Sequence, residues 1–169
     1  MRRILSLLLA IIFASMATNS FPAEPMTEFR GIQWGTHISE LEGMKFASKE
    51  TNRLGWYYMS EIKEPFGNVE LIYIAYGFLD GRFAAVTVMP NKGYDNFKQL
   101  EYSCRAKFGP PNDLLSTKTT LLFGIEKDIT VTLSFNEEDK ITKLDIMTMD
   151  ALKERTTDKL RKEGRDGNK

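Results

Sequence analysis

The same order of segments occurs twice along this chain, and that repetition limits the possible fold more than any other feature of the sequence. In each copy a helical segment precedes three strand-like runs, and the third runs, residues 82–89 and 140–149, match at an offset of 58 residues. Self-similarity at a fixed spacing predicts a tandem duplication, with pseudo-repeats at about 29–90 and 91–150. Because antiparallel strands bury one face of a sheet under helices, we expect a single α+β domain at 29–150, with its helices on one face.

Turn residues divide the two copies into predicted elements. Thr36 and Gly43 are typical caps of a short first helix, and a second helix at 94–108 ends before a Gly-Pro-Pro sequence. Asp80-Gly81 predicts a two-residue hairpin turn. Alternating or β-branched runs predict six antiparallel strands, at 56–62, 69–78, 82–89, 117–125, 128–135 and 140–149. Whether the six strands form one sheet or two is left open.

The first residues of the chain predict export. Two arginines precede an apolar run at 4–13, and Ser15 and Ala17 occupy the positions that a signal peptidase prefers. We therefore expect a signal peptide at 1–17, with cleavage after Ser20 as the alternative. The apolar run is too short to cross a hydrocarbon layer of about 30 Å as a helix, so an uncleaved anchor is the less favoured interpretation. The predicted location is the periplasm or the exterior of the cell.

Two segments outside the predicted domain differ from it in composition. Residues 18–28 contain two prolines and are predicted to form an extended linker. Residues 151–169 are highly charged, with apolar side chains only at Ala151, Leu152 and Leu160. A helix with so few apolar residues is expected to be solvated and to fray into a charged tail.

Charge and rare residues exclude several classes of protein. Lys and Arg together number 23, as do Asp and Glu, so the basic excess typical of a nucleic-acid binder is missing. One Cys and one His exclude a disulfide framework and any metal site that needs several of either residue. We therefore expect no metal and no cofactor. Cys104 shares a helical face with Phe97, Leu100 and Phe108, which predicts a buried thiol that packs as a small apolar group.

Catalytic residues are not predicted. His37 lies beside Ser39 and Glu40, but side chains one and two positions apart on a helix point away from each other. The acidic run 137–139 lacks the spacing of a calcium-binding loop and is predicted to be a hairpin turn. A hydrolase that uses a pair of carboxylates remains the alternative, because no sequence pattern marks or excludes such a pair.

An aromatic cluster is the most suggestive binding feature. Trp56 and Tyr58 share one face of a predicted strand, and Tyr73 lies on a neighbouring strand. Exposed aromatic side chains on a rigid sheet suit the capture of a protein or a ligand, so these three are the candidate binding residues. The alternative is that they pack against each other as cross-strand pairs.

Two short motifs resemble known proteins. The segment Phe29-x-Gly-Ile-x-Trp-Gly-Thr36, with a helix that ends in Phe108-Gly-Pro-Pro111, resembles a recurrent class of small secreted bacterial proteins that are generally uncharacterised. The doubled layout of helix and sheet resembles that of the β-lactamase-inhibitory protein and its relatives. The resemblance implies secretion and an architecture, whereas function does not follow from fold.

These observations together predict an exported, non-enzymatic binding or interaction protein of the cell envelope, whose partner would be another envelope protein. The alternatives are a periplasmic hydrolase with a carboxylate pair, and a structural accessory protein that pairs an exposed strand edge with a partner. Oligomeric state cannot be read from the sequence.

Overall fold

Antiparallel pairing joins seven strands into one sheet. The computed structural model describes residues 26–59, 65–126 and 128–166, and the side chains of all of these except 124–126 and 164–166. The predicted signal peptide and most of the predicted linker lie outside these residues. In chain order the elements are β1 (Glu28–Phe29), β2 (Ile32–Gln33), β3 (Met44–Lys49), β4 (Leu54–Met59), β5 (Leu71–Leu79), β6 (Arg82–Pro90), α1 (Tyr94–Phe108), β7 (Thr120–Glu126), β8 (Ile129–Asn136), β9 (Ile141–Thr148) and α2 (Met149–Asp166).

The main sheet has the strand order β3-β4-β5-β6-β9-β8-β7, while β1 and β2 form a small separate hairpin. The predicted α+β class with antiparallel strands is therefore confirmed. The bounds predicted for the second helix, 94–108, are those of α1, which ends at Gly109 with a φ of 80°. The predicted two-residue turn at Asp80-Gly81 is also confirmed, because both residues have positive φ and join β5 to β6.

In the first of the predicted repeats, one helix boundary is wrong and one strand was not predicted. The helix expected to run to Gly43 is a 3₁₀ turn of three residues, Ile38–Glu40. The strand β3 then begins at Met44, in a segment for which no strand was predicted. Every residue of β3 after Met44 is exposed, so the alternation that identifies a half-buried strand does not develop there.

The sheet has two buried faces, which we call the α1 face and the α2 face. Alternation along the central strands puts Tyr76, Val86 and Ile146 on the α1 face, where they belong to the larger core cluster. Ala85 and Met147, one position away, lie on the α2 face with the smaller cluster. A single sheet therefore separates two cores of unequal size.

The α1 face is covered by two different parts of the chain. Helix α1 inserts three fully buried side chains, Phe97, Leu100 and Cys104, over the half of the sheet that holds β7, β8 and β9. The N-terminal hairpin covers the other half, where Trp34 stacks on Phe83 with ring centroids 4.6 Å apart. The motif around Trp34 is thus a packing element: Trp34 Nε1 donates to the carbonyl of Met26, and Gly35 N–H donates to the carbonyl of Phe83.

Helix α2 packs on the opposite face, so the prediction that the helices lie on one face is not confirmed. Ala151 is fully buried against the small cluster that includes Leu54, Trp56 and Ala85. The helix predicted in this charged segment is present, and among residues 149–163 only Ala151 and Asp158 are buried. Hydrophobic patterning did not identify this packing because most of the side chains that α2 turns toward the sheet are charged.

Candidate functional site

The three candidate binding residues all lie on the α2 face, but at different depths. Trp56 is only 7% exposed, whereas Tyr58 and Tyr73 are 37% and 36% exposed. Strand alternation in β4 and pairing with β5 account for the common face. The structure therefore places two half-exposed tyrosines where binding residues were predicted, and a buried tryptophan beside them.

Trp56 is held in place from three sides. Its ring lies across Gly77, where an added Cβ would come within 3.0 Å of the ring atom Cζ3. The indole Nε1 donates a hydrogen bond of 2.7 Å to Glu50 Oε2, and the guanidinium of Arg155 lies 5.5 Å above the ring centroid. Trp56 is therefore a packing residue of the α2 face, and a ligand would contact Arg155 before it reached the indole.

Arg155 connects α2 to two carboxylates, that of Asp145 in β9 and that of Glu50 directly after β3. Its Nε lies 2.8 Å from Glu50 Oε1, and its Nη1 donates a hydrogen bond of 3.2 Å to Asp145 Oδ2. Asp145 also accepts from Thr87 Oγ1 and lies 3.1 Å from Lys143 Nζ. Acidic and basic side chains thus alternate in one network beside α2, and their formal charges cancel. The network consists of Glu50, Arg155, Asp145 and Lys143.

A groove of about 360 Å³ runs beside this network. Its floor is formed by buried residues of the central strands, and Tyr73 and Met89, which are paired across β5 and β6, lie along it. Tyr58 lies on the same face but does not line the groove. The residues that line it are Ser48, Glu50, Trp56, Tyr73, Ala75, Thr87, Met89, Lys143 and Arg155.

The groove offers contacts for binding. Tyr73 presents part of an aromatic ring, Met89 a polarisable thioether, and Lys143 an ammonium that is partly exposed. Glu50 and Asp145 are acceptors for the same arginine, which gives this carboxylate pair the role of holding α2 on the sheet. Sequence reasoning did not identify Arg155 or Asp145, because Arg155 falls in a charged segment without a motif and Asp145 in an ordinary strand.

His37 and Ser39 do meet, contrary to the expectation that their side chains point apart. His37 has an extended backbone as the N-cap of the 3₁₀ turn, so its Nδ1 lies 2.7 Å from Ser39 Oγ. Glu40 accepts a hydrogen bond of 3.1 Å from the backbone N–H of His37 and completes a capping box. The trio predicted to be non-catalytic therefore caps a turn.

Cys104 is fully buried, as predicted, and carries a free thiol. Burial raises the pKa of this thiol to about 12. The thiolate that nucleophilic or redox chemistry would need is thus disfavoured at neutral pH. This agrees with the interpretation of Cys104 as a small apolar residue of the core.

A larger cavity, of about 820 Å³, lies between the N-terminal hairpin, the loop at 65–68 and the outer side of α1. None of the candidate binding residues lines it. Lys107 lies over the rings of Phe66 and Phe108, 5.9 and 5.7 Å from their centroids. Its walls include Met26 and Pro65, which border parts of the chain that the structure does not describe.

Among the described residues, no helix is both long and apolar enough to cross a membrane. The same residues contain no cluster of three or more His, Cys, Asp or Glu side chains that could hold a metal ion. Comparisons of the chain with protein-family models, with curated proteins and with solved structures found no match.

Proposed function

We propose that the chain is an exported, non-enzymatic binding protein of the cell envelope, and that it recognises its partner through the part of the α2 face that α2 leaves open. We call this part the open half; it comprises Tyr58, Tyr73, Met89 and Lys143. The observation that carries the proposal is that two half-exposed tyrosines project from adjacent strands of a seven-stranded sheet, beside a groove. Tyrosines on a rigid support supply a large contact area at a small cost in side-chain entropy.

The alternative of a hydrolase with a carboxylate pair has less support. Glycosidase chemistry needs one carboxyl group that donates a proton and a second that acts as base or nucleophile. In the groove, Glu50 and Asp145 both accept hydrogen bonds from Arg155, and Glu50 also accepts from Trp56. Their contacts are those of a structural anchor, so we favour binding over hydrolysis.

We further infer that the sheet arose by duplication of one unit. The offset of 58 residues relates Val86 to Leu144 and Val88 to Ile146, whereas the sheet pairs Val86 with Ile146 and Val88 with Leu144. Thr87 pairs with Asp145, its own counterpart at that offset. This is the pairing expected of two copies related by a two-fold axis through the Thr87–Asp145 pair, and it supports the predicted pseudo-repeats.

The resemblance to small secreted bacterial proteins and to the layout of the β-lactamase-inhibitory protein is consistent with this proposal. We infer from it that the partner is another protein of the envelope. No activity is carried over, since a shared layout does not transfer function.

Native mass spectrometry of protein isolated from the envelope of its own host tests both binding and export. We expect the wild type to lack residues 1–17, or 1–20, and to carry an added mass that the double variant Tyr58→Ala/Tyr73→Ala has lost. The control Tyr102→Ala removes a tyrosine that is 75% exposed on α1 and should keep the added mass. Because both tyrosines of the open half are partly solvated, the double variant should fold normally.

A double variant that keeps the added mass contradicts recognition through the open half, and a wild type with no added mass contradicts stable binding. A chain that retains Met1 contradicts export. A large loss of thermal stability in the double variant would show that the two tyrosines are core residues and would contradict the proposal.

A further inference from the structure

The two edge strands of the main sheet, β7 and β3, differ in whether their outward-facing backbone groups have hydrogen-bond partners. At the β7 edge, the segment 111–117 covers the outward-facing groups: Asn112 N–H donates to the carbonyl of Leu122, and Leu122 N–H donates to Ser116 Oγ. Thr117 N–H donates to the carbonyl of Thr120, and Thr120 N–H donates to Thr117 Oγ1. The outward-facing backbone groups of Thr120 and Leu122 are therefore already paired and unavailable to a further strand.

Among the described residues, no strand pairs with the outer edge of β3. The strand pairs only with β4, and five of its six residues are exposed. Phe46 is 59% exposed, and its ring meets the edge of the Tyr57 ring at a centroid distance of 5.4 Å. An exposed strand edge with an exposed apolar ring can accept a strand from another molecule.

The charge of β3 selects the kind of strand that it can accept. Lys45 and Lys49 lie near its two ends, the strand contains no acidic residue, and no described residue forms an ion pair with either lysine. Lysines on an edge disfavour pairing with a neutral or basic strand, because their charges must be desolvated or brought close together. An acidic strand would instead gain opposite-charge pairs across the ladder.

We propose that the β3 edge binds, by strand addition, an extended segment of another protein in which acidic residues alternate with apolar residues. The apolar side chains would lie beside Phe46 on the α1 face, and acidic side chains would lie opposite Lys45 on the α2 face. A second copy of this chain is a poor occupant, because an antiparallel β3–β3 pair would join two strands that carry lysines and no acidic residue. The inference goes beyond the proposed function, since strand addition uses the outer backbone edge of β3, whereas the open half begins one strand further in, at Tyr58, the pair partner of Lys45.

Two fluorescein-labelled peptides probe the proposal: one alternates valine with glutamate, and the other alternates valine with lysine. Lys45 pairs with Tyr58 on the α2 face, whereas Lys49 pairs with Gly55 on the α1 face, so one glutamate of the peptide lies opposite a lysine. We expect the wild-type protein to bind the glutamate peptide about fivefold more tightly than the lysine peptide in fluorescence anisotropy, from this opposite-charge pair. The variant Lys45→Glu should reverse the preference. The control Lys92→Glu makes the same change in net charge at an exposed lysine outside β3 and should keep the wild-type preference.

The role of the backbone is tested on the wild type, without any variant that could misfold. A glutamate peptide whose alternate backbone nitrogens are methylated keeps its side chains but cannot complete a ladder, and we expect it not to bind. Hydrogen exchange should slow at residues 44–49 when the unmethylated peptide is added. Equal binding of the methylated peptide, slowing elsewhere but not at 44–49, or slowing at 44–49 in the protein alone as its concentration rises would overturn the proposal.

A single variant separates this result from the test of the open half. Tyr73→Ala leaves β3 and the Lys45–Tyr58 pair in place, so this variant should bind the glutamate peptide as the wild type does. Loss of the envelope partner with retained peptide binding would therefore separate the two surfaces.

Discussion

Gly77 determines how deeply Trp56 lies in the sheet. A Cβ at this position would lie 2.8 Å from the Cβ of Ala85 and 3.0 Å from the indole. Contacts this short force either the indole ring or the strand to move. The hydrogen bond from Trp56 to Glu50 therefore depends on the absence of a side chain at Gly77.

We therefore expect Gly77→Ala to lower the free energy of unfolding by about 1–3 kcal/mol, the usual range for overpacking. The measurement is urea denaturation followed by tryptophan fluorescence, with Gly55→Ala as the matched control. Gly55 also lies in a strand, but an added Cβ there would be 3.4 Å from its nearest neighbour, an ordinary contact. Equal losses in the two variants would refute the steric explanation.

Cys104 makes stability depend on pH in the alkaline range. Burial raises the pKa of its thiol in the folded protein to about 12, against an ordinary value of 9.0. The folded state therefore disfavours the thiolate, and the contribution of the neutral thiol is complete below pH 9.0. It is lost as the pH rises toward 12, because only the unfolded chain ionises readily in that interval.

We expect the wild type to lose stability more steeply than Cys104→Ala between about pH 9 and pH 11, by at most about 2.7 kcal/mol, because each pH unit contributes at most about 1.36 kcal/mol. Urea denaturation at a series of pH values gives the two curves. Lysine and tyrosine residues titrate in both proteins, so their effects cancel in the comparison. Parallel curves would show that the thiol titrates as freely in the folded protein as in the unfolded chain.

The site residues show what sequence reasoning can and cannot predict at this scale. Alternation correctly placed Trp56 and Tyr58 on one face, whereas the face of Tyr73 on the neighbouring strand was not predicted. Their depth could not be read from alternation, because it is set by Gly77 on the next strand and by Arg155 far along the chain. The exposure of a strand side chain depends on residues that are distant in the sequence. Alternation with a period of two predicts only the face of the sheet to which the side chain points.

At the scale of elements, α2 is held on the sheet mainly by charged contacts. Beyond Ala151, its inward positions carry Arg155, Asp158 and Lys162, and Lys162 Nζ donates to the carbonyl of Glu50 at 3.3 Å. The large apolar residue Leu160 is 63% exposed and faces away. A helix attached in this way should be more sensitive to salt than one with an apolar stripe.

We expect Arg155→Met to destabilise the protein by about 1–3 kcal/mol, because it leaves Glu50 and Asp145 without their shared cation. Hydrogen exchange should become faster in α2 and stay slow in α1, which packs through apolar side chains. Lys153→Met is the matched control, since Lys153 is exposed and its nearest carboxylate, on Asp150, is 3.8 Å away. Unchanged exchange in α2 of the Arg155 variant would show that Ala151 and its neighbours suffice to hold the helix.

The contrast between α1, α2 and β3 explains which elements could be predicted. The bounds of α1 followed from its apolar stripe, the glycine at its end and the prolines after it. The helical character of α2 was predicted, but its packing was not, because charged residues facing a sheet have the same sequence pattern as charged residues facing water. For β3, the exposed side chains and the extra residue Ala47 between two ladder pairs removed the strand pattern altogether.

At the scale of the molecule, the sheet is continuous because β6 and β9, the last strands of the two proposed repeats, pair at its centre. The sequence predicted β4 to β6 and β7 to β9 but not the pairing of β6 with β9. The same pattern of apolar residues is equally compatible with two separate three-stranded sheets. The choice depends on residues of both copies at once. Thr87 and Asp145 are directly hydrogen-bonded to each other across the junction, and Val86 and Ile146 are buried beside it.

The difference between the two sheet edges limits how many molecules can assemble. If both edges were open, β3 of one molecule could pair with β7 of the next, and this head-to-tail contact would propagate into a filament. The segment 111–117 occupies the groups that such a contact needs on β7, so propagation is blocked at the first step. Association at β3 therefore ends in a complex of fixed size, and a few residues that contribute little to the core protect the protein from polymerisation.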